Sequence, residues 1–246
     1  MPPKTHTLIV GGTHGIGRVL AEHLAHAGQK VSVIGRHSPT RKFPRGIRVW
    51  PVDLLDAAQL RKTLDAIVNR DGRLNSLVCL QRFKGDGDPW AGEIATSLSA
   101  TRQIIEHLAG QFRPRENNSI VLISSAASNV VAAEQGAGYH VAKAGLNQMA
   151  RYYAVVLGKK GIRVNVVSPG TVLKPENRDF YLKNKKLQRL LRSTIPLGRM
   201  GTAAEVAEII AFLSGPNASF VTGQTLLVDG GANLLSTETL VRTFAG

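Results

Sequence analysis

Cysteine and long apolar runs are scarce in this sequence. The single Cys79 has no partner for an internal disulfide. It lies in the apolar run Leu74–Leu80, so we expect a buried hydrophobic side chain rather than a reactive thiol. No apolar stretch approaches the roughly 18 residues that a membrane span needs, and the first residues lack the layout of a secretory signal. These features predict a protein of the reducing cytoplasm with no membrane segment.

Acidic and aromatic residues are also few. The chain carries 17 Asp and Glu against 31 Lys and Arg, a net charge of +14. Such an excess attracts anions, which include nucleic acid, a membrane surface and phosphate-bearing ligands. Aromatic residues make up only 5% of the chain and no reading-helix motif is present, so nucleic-acid binding is the least expected of these. The seven histidines show no ligand spacing with cysteine or carboxylates, and we expect no metal site.

Short apolar runs alternate with longer helical patterns along the chain. Seven continuous apolar runs predict strands buried on both faces of a sheet: Thr7–Val10, Val31–Ile34, Arg48–Val52, Leu74–Leu80, Ile120–Ile123, Ile162–Val167 and Gln224–Val228. Helical spacing lies between them, in Ile16–Ala27, Asp56–Asn69, Trp90–Gln111, Gly136–Leu157 and Thr202–Leu213. No linker composition divides the 246 residues. We predict a single-domain α/β fold over residues 1–246, a Rossmann-like doubly wound parallel sheet of seven strands with helices on both faces.

A glycine-rich turn joins the first predicted strand to the first helix. It reads Val10-Gly11-Gly12-Thr13-His14-Gly15-Ile16-Gly17, with the spacing G-x-x-x-G-x-G. Glycines allow a tight turn and a close approach of the backbone to a pyrophosphate, and the helix N-terminus adds unpaired N–H groups. The alternative is a turn of this composition without a ligand, which its place at the start of a βαβ unit disfavours.

Tyr139 and Lys143 form a second constellation. Their i, i+4 spacing places both on one face of a predicted helix. A free phenol is a poor acid or base at neutral pH. A neighbouring ammonium favours the phenolate, which can then exchange a proton with a carbonyl or alcohol oxygen. The spacing alone arises by chance on many helices, but Ser124 and Ser125, which end a predicted strand, strengthen it.

These motifs, together with Arg163–Gly170 and Phe220–Gly231, resemble the short-chain dehydrogenase/reductase family, in particular its 3-oxoacyl-carrier-protein reductase-like members. The resemblance runs from Thr7 to Gly231. It implies a nicotinamide cofactor and an oxidoreductase that interconverts a ketone and a secondary alcohol.

The resemblance also implies roles for individual residues. Tyr139 would be the general acid–base, Lys143 would favour its phenolate and hold the nicotinamide ribose, and Ser125 would hold the substrate oxygen, with Ser124 as the alternative. The implied cofactor contacts are Gly11, Thr13, His14, Gly15, Ile16, Gly17, Arg36, Asp53, Leu54, Tyr139, Lys143, Pro169, Gly170 and Val172.

Arg36 decides the predicted form of the cofactor. It follows the second strand, where an acidic residue would bind the ribose hydroxyls and favour NAD. A cation there suits a 2′-phosphate, to which His14 could add a donor, so we predict NADP(H). A solvated loop cation is the alternative for Arg36, and a turn-forming side chain is the alternative for Asp53, which resembles the adenine-contacting acid of the family.

Three positions depart from the family pattern. Cys79-Leu80-Gln81-Arg82 stands where Asn-Asn-Ala-Gly is usual, Ser97 where an Asn holds a water of the proton relay, and Lys174 where a Thr contacts the cofactor. The departures leave Ser125, Tyr139 and Lys143 intact. An active reductase is the favoured interpretation, and an NADP-binding homologue with lost or altered catalysis, in a regulatory or scaffold role, is the alternative.

Residues 174–199 form a basic segment that we predict to be an insertion above the carboxyl edge of the sheet. Its cations are Lys174, Arg178, Lys183, Lys185, Lys186, Arg189, Arg192 and Arg199. Two interpretations stay open, a solvated basic face and a lid that recognises an anionic or carrier-linked carbonyl or alcohol substrate. The resemblance further implies a homodimer or homotetramer that pairs through Trp90–Gln111 and Gly136–Leu157.

Overall fold

Seven parallel strands form the central sheet, which confirms the predicted fold class. The computed structural model describes residues 5–114 and 116–245. The sheet contains β1 (His6–Val10), β2 (Lys30–Gly35), β3 (Ile47–Pro51), β4 (Ser76–Cys79), β5 (Asn118–Ile123), β6 (Ile162–Pro169) and β9 (Thr225–Val228), whereas β7 (Val172–Leu173) and β8 (Gly201–Thr202) pair separately. The strand order is β3-β2-β1-β4-β5-β6-β9, and every pairing is parallel.

Helices cover both faces of the sheet. They are α1 (Gly15–His26), α2 (Ala57–Asp71), α3 (Pro89–Glu93), α4 (Ala100–Leu108), α5 (Ala137–Gly158), α6 (Arg178–Lys183), α7 (Lys185–Thr194), α8 (Ala203–Ser214) and α9 (Thr237–Ala245). Apolar residues of α2, α4 and α5 pack with Leu8 and Val10 of β1 on one face. Those of α1 and α8 pack with Ile9 on the other. Because successive strand residues point to opposite faces, one continuous apolar run supplies both cores.

The strand order places a crevice at the carboxyl edge of the sheet. From β1 the chain turns to β2 and β3 on one side, and then crosses to β4 on the other side of β1. The connections after β1 and β4 therefore diverge, and ligands of open α/β sheets bind at such a point. The glycine-rich turn after β1 and residues 80–82 after β4 meet there.

The structure is helical throughout residues 89–108, close to the long helix predicted over Trp90–Gln111, but this helix is not regular. A π-helical turn, Ile94–Ser99, separates α3 from α4. Thr101 donates its hydroxyl hydrogen to the Ser97 carbonyl oxygen at 2.7 Å, so a side chain competes at this turn with the backbone hydrogen-bond ladder. π-Turns of this kind occur frequently at functional sites.

The basic segment contains two short helices. A 3₁₀ turn, Pro175–Asn177, leads into α6 and α7. No residue of these two helices is buried, and Phe180 is 63% exposed. The segment lies over the carboxyl edge, because Glu176 contacts the turn after β1.

None of the helices in the described ranges is long and apolar enough to cross a bilayer. Residues 1–4, which entered the expectation about a secretory signal, lie outside the described part of the chain.

Candidate active site

The turn after β1 is shaped by its glycines. Gly11 has a φ of +79°, a conformation that side-chain-bearing residues rarely adopt, and a Cβ on it would lie 2.8 Å from the Gln81 backbone nitrogen. A Cβ on Gly17 would lie 2.7 Å from the Gly11 carbonyl oxygen. Larger residues would therefore push the turn away from both the β4 loop and the start of α1.

The same turn binds an anionic group in this structure. The Gly15 backbone N–H donates to the Glu176 carboxylate at 2.6 Å. This N–H belongs to the first turn of α1, where backbone donors lack helical partners and the helix dipole favours negative charge. A carboxylate oxygen here occupies a position that a phosphate oxygen could take, so the residues present fit the pyrophosphate of a dinucleotide.

Polar residues line the cavity at the ends of β2 and β3. The Arg36 guanidinium donates to the Lys84 carbonyl oxygen at 2.7 Å, and His14 shares a 2.9 Å hydrogen bond with the Thr13 hydroxyl. The Asp53 carboxylate accepts from the Leu55 N–H at 3.0 Å, which is a local turn contact. Asp53 thus has the turn-forming side chain that the sequence allowed as the alternative to an adenine contact. It also lines the cavity beside Leu54.

Helix α5 carries Tyr139 and Lys143 into the same cavity. Lys143 is 3% exposed, and its ammonium donates to the Ile123 carbonyl oxygen at 2.9 Å. Burial lowers the pKa of Lys143 to about 8, against the opposing effect of the Glu93 carboxylate, while Arg82 and Lys174 act in the same direction as burial. The Lys143 nitrogen lies 5.6 Å from the centre of the Tyr139 ring.

The two serines after β5 have different environments. Ser124 is 4% exposed and donates its hydroxyl hydrogen to the Lys143 carbonyl oxygen at 2.8 Å. The Ser125 hydroxyl oxygen accepts from the Ala127 N–H at 3.2 Å, so its hydrogen is available to a substrate oxygen. Both serines line the cavity, and the contacts favour Ser125 for the substrate.

The chain after β6 forms the remaining wall. The Gly170 N–H donates to the Val228 carbonyl oxygen at 3.0 Å, which joins the end of β6 to β9. A Cβ on Gly170 would lie 2.7 Å from the Asp229 Cβ, so this approach needs a glycine. Pro169, Gly170 and Val172 all face the cavity.

One cavity of about 710 Å³ is lined by every catalytic and cofactor-binding residue that the sequence predicted. These residues are Gly11, Thr13, His14, Gly15, Ile16, Gly17, Arg36, Asp53, Leu54, Ser125, Tyr139, Lys143, Pro169, Gly170 and Val172. The structure therefore brings together positions that lie up to 161 residues apart in the chain.

Sequence reasoning missed the carboxylate of Glu93. This residue is 4% exposed and accepts from the Ser97 hydroxyl at 2.8 Å, so the hydroxyl hydrogen of Ser97 is engaged by Glu93. Glu93 also accepts from the Phe83 N–H at 3.3 Å and lies 3.7 Å from Arg82. The Glu93–Ser97 spacing of i, i+4 and the cation at Arg82 were the available signals.

Comparison with known proteins identifies the family. A family model described as enoyl-(acyl carrier protein) reductase matches residues 10–233. A solved structure titled short-chain dehydrogenase/reductase SDR:glucose/ribitol dehydrogenase, from Brucella melitensis, is 28% identical with a TM-score of 0.78, covering 93% of this chain and 96% of that one. This chain belongs to the short-chain dehydrogenase/reductase family, whose members are oxidoreductases that use nicotinamide cofactors.

Two plant relatives from Arabidopsis thaliana share this family. Senescence-associated protein 13 is 33% identical over 245 residues, covering 92% of this chain and 89% of the relative. Tropinone reductase homolog At2g29330 is 33% identical over 241 residues, covering 91% of this chain and 92% of the relative. A solved short-chain dehydrogenase family protein from Francisella tularensis, at 23% identity and a TM-score of 0.82, covers 94% of this chain and 100% of its own and has the same fold.

Proposed function

We propose that this protein is an NADP(H)-dependent oxidoreductase that interconverts a ketone and a secondary alcohol. The observation that carries the proposal is the single cavity in which the glycine-rich turn after β1 and the Ser125, Tyr139 and Lys143 side chains meet. The family membership supports it, since the family consists of oxidoreductases.

The chain's own residues supply the acid–base part of such a reaction. A bound nicotinamide cofactor would give or take the hydride. In the reductive direction, Tyr139 donates its phenolic proton to the carbonyl oxygen, while Ser125 donates a hydrogen bond to the same oxygen. In the oxidative direction, the Tyr139 phenolate takes the alcohol proton. Lys143 stabilises that phenolate while its ammonium is held by the Ile123 carbonyl oxygen.

Arg36 supports NADP(H) over NAD(H) in this proposal. Its guanidinium lies at the end of β2 and lines the cavity, where a planar cation can bind a phosphate with two hydrogen bonds. Fluorescence titration of the purified protein with NADPH and NADH tests this choice. We expect the protein to bind NADPH more tightly than NADH. Arg36→Ser should weaken NADPH binding about tenfold and leave NADH binding unchanged.

Arg70→Ser is a matched control, because Arg70 is an exposed cation of α2 outside the cavity. Failure to bind either cofactor at millimolar concentration would overturn the enzyme proposal. Binding of NADPH without turnover of any carbonyl or alcohol in a broad panel would instead support the homologue with lost or altered catalysis. A preference for NADH would refute the role given to Arg36.

The substrate proposed here is anionic or carrier-linked, with residues 174–199 as a lid. Helix α7 exposes Lys185, Lys186 and Arg189, and the segment reaches the turn after β1 through Glu176. Replacing these three cations by Ser should raise the KM for an anionic ketone several-fold and leave the KM for a neutral ketone unchanged. Equal effects on both ketones, or none, would favour a solvated basic face.

The proposal extends to assembly and location, as a homodimer or homotetramer of the cytoplasm. Tyr152 and Val155, on the outer side of α5, are 60% and 80% exposed. Burial of these apolar side chains between two copies of the chain would favour their association. Light scattering on the wild type and on Val155→Glu tests the assembly. A monomeric wild type would contradict it.

A further inference from the structure

Arg82 stands beside the Tyr139 ring, where the family pattern has a glycine without a side chain. Its guanidinium carbon lies 4.7 Å from the centre of the Tyr139 ring, closer than the Lys143 nitrogen at 5.6 Å. A guanidinium within about 6 Å of a ring face is attracted by the ring's quadrupole. The attraction grows when the ring carries the negative charge of a phenolate.

The position of Arg82 is fixed by its neighbours. The Arg82 Nε lies 3.7 Å from Glu93 Oε1, and its Nη2 donates to the Gln135 side-chain oxygen at 3.3 Å. Glu93 is itself held by the Ser97 hydroxyl and the Phe83 N–H. Since a buried carboxylate is costly without a partner, these contacts restrain Arg82 over the tyrosine.

Tight packing of two elements keeps this arrangement close to Tyr139. A Cβ on Gly138 would lie 2.8 Å from the Trp90 Cα, so α3 directly contacts the start of α5. A Cβ on Gly92 would lie 2.5 Å from the Phe83 ring, so that ring packs on α3 and anchors the loop after β4. The loop that carries Arg82, the helix that carries Glu93 and the helix that carries Tyr139 therefore form one packed unit.

We propose that Arg82 is a positioning residue that stabilises the phenolate of Tyr139, so that two cations rather than Lys143 alone activate the tyrosine. Arg82 gains and loses no proton in this role, and the proton still passes between Tyr139 and the substrate oxygen. The inference rests on the proposed function for its kinetic consequence. Arg82, Lys143 and His140 lie against the Tyr139 ring. Glu93 and Lys174 act on the neighbouring Lys143, whose pKa the Glu93 carboxylate raises and the Lys174 ammonium lowers.

This role gives a function to Arg82, one of the departures from the family pattern. Its exposed side chain lies 3.7 Å from the buried Glu93 carboxylate, which gains a partner from its charge. Burial lowers the pKa of the Lys143 ammonium to about 8, so this cation loses its charge as the pH rises above 8. The guanidinium stays charged over the whole working range.

The test compares Arg82→Gln, Arg82→Lys and Arg70→Gln in the alcohol-oxidising direction. We expect Arg82→Gln to move the rise of kcat with pH upward by about one unit and to lower kcat at pH 7 about tenfold, with little change in KM. Arg82→Lys should recover part of the loss. Arg70→Gln removes an exposed cation of α2 that does not line the cavity, and its pH profile should not move.

A second readout does not need turnover. Phenolate absorbance of the NADP⁺-bound protein is followed against pH, and Tyr139→Phe identifies the contribution of Tyr139 among the four tyrosines. A Tyr139 signal that ionises at higher pH in Arg82→Gln supports the inference even if no substrate is turned over. An unmoved signal and pH profile in an active enzyme would overturn it, and so would a higher KM with an unchanged profile, which would make Arg82 a substrate contact.

Discussion

Lys143 illustrates how a single buried charge can cost stability. The residue is 3% exposed, and burial lowers its pKa from 10.5 to about 8. The unfolded chain therefore holds more protons than the folded one between about pH 8 and 10.5, so the free energy of unfolding rises with pH across that window. At neutral pH the buried charge is a net cost to the fold.

Replacing Lys143 by Met should stabilise the protein and abolish turnover. The pKa difference corresponds to about 3 kcal/mol at pH 7, less about 1 kcal/mol for the lost bond to the Ile123 carbonyl, so we expect a gain of about 2 kcal/mol. Urea unfolding at pH 7 and pH 10 checks this, because the gain should shrink at the higher pH. A variant less stable than the wild type at pH 7 would contradict the cost assigned to the ammonium.

Two elements meet at the glycine-rich turn after β1, where a phosphate of the proposed dinucleotide would bind. The Glu176 carboxylate on the 3₁₀ turn accepts the Gly15 N–H of α1 at 2.6 Å. A phosphate must replace this carboxylate and would be repelled by its charge. We expect Glu176→Ala to tighten NADPH binding about tenfold, as loss of a charge-assisted hydrogen bond implies.

Asp179→Ala is the matched control for this prediction. The Asp179 carboxylate lies in α6, is 84% exposed and forms an ion pair with Lys183 at 3.7 Å. The substitution therefore removes the same charge from the same segment without changing a contact of the turn after β1. Fluorescence titration with NADPH compares the two variants. Equal effects would mean that general charge is responsible, and weaker binding in Glu176→Ala would mean that the carboxylate supports the bound cofactor instead.

The elements also mark how far the sequence predicts this structure. The seven strands of the central sheet followed from the continuous apolar runs of the sequence. The π-helical turn at Ile94–Ser99 did not follow from periodicity, and it lies where Glu93 contacts Arg82 and Phe83 of the loop after β4.

The same limit applies to the site. Tyr139 and Lys143 are recognisable because their spacing is local along one helix. The contact of Glu176 with Gly15 joins residues 161 positions apart and leaves no trace in spacing. The position of Arg82 over Tyr139 likewise depends on how α3 packs on α5.

The whole molecule carries a net charge of +14, and folding brings these positive charges closer together than they are in the unfolded chain. Self-repulsion of a strongly charged fold weakens as salt shortens the Debye length from about 30 Å at 0.01 M to about 8 Å at 0.15 M. We therefore expect the Tm to rise by a few degrees between 0.01 and 0.15 M sodium chloride. Replacing Lys185, Lys186 and Arg189 by Ser should reduce that rise, and a Tm independent of salt would contradict the role of repulsion.

In the proposed function, Tyr139 performs acid–base catalysis beside a dinucleotide bound in the cavity at the carboxyl edge of the sheet. The most direct measurement is the kcat of Tyr139→Phe on a ketone that the wild type reduces, with NADPH affinity measured on the same preparation. We expect kcat to fall by about 10³-fold or more, since general acid catalysis contributes on the order of 10²–10⁴, while the NADPH Kd changes less than about threefold. Retained turnover, with cofactor binding unchanged, would contradict the acid–base role of Tyr139.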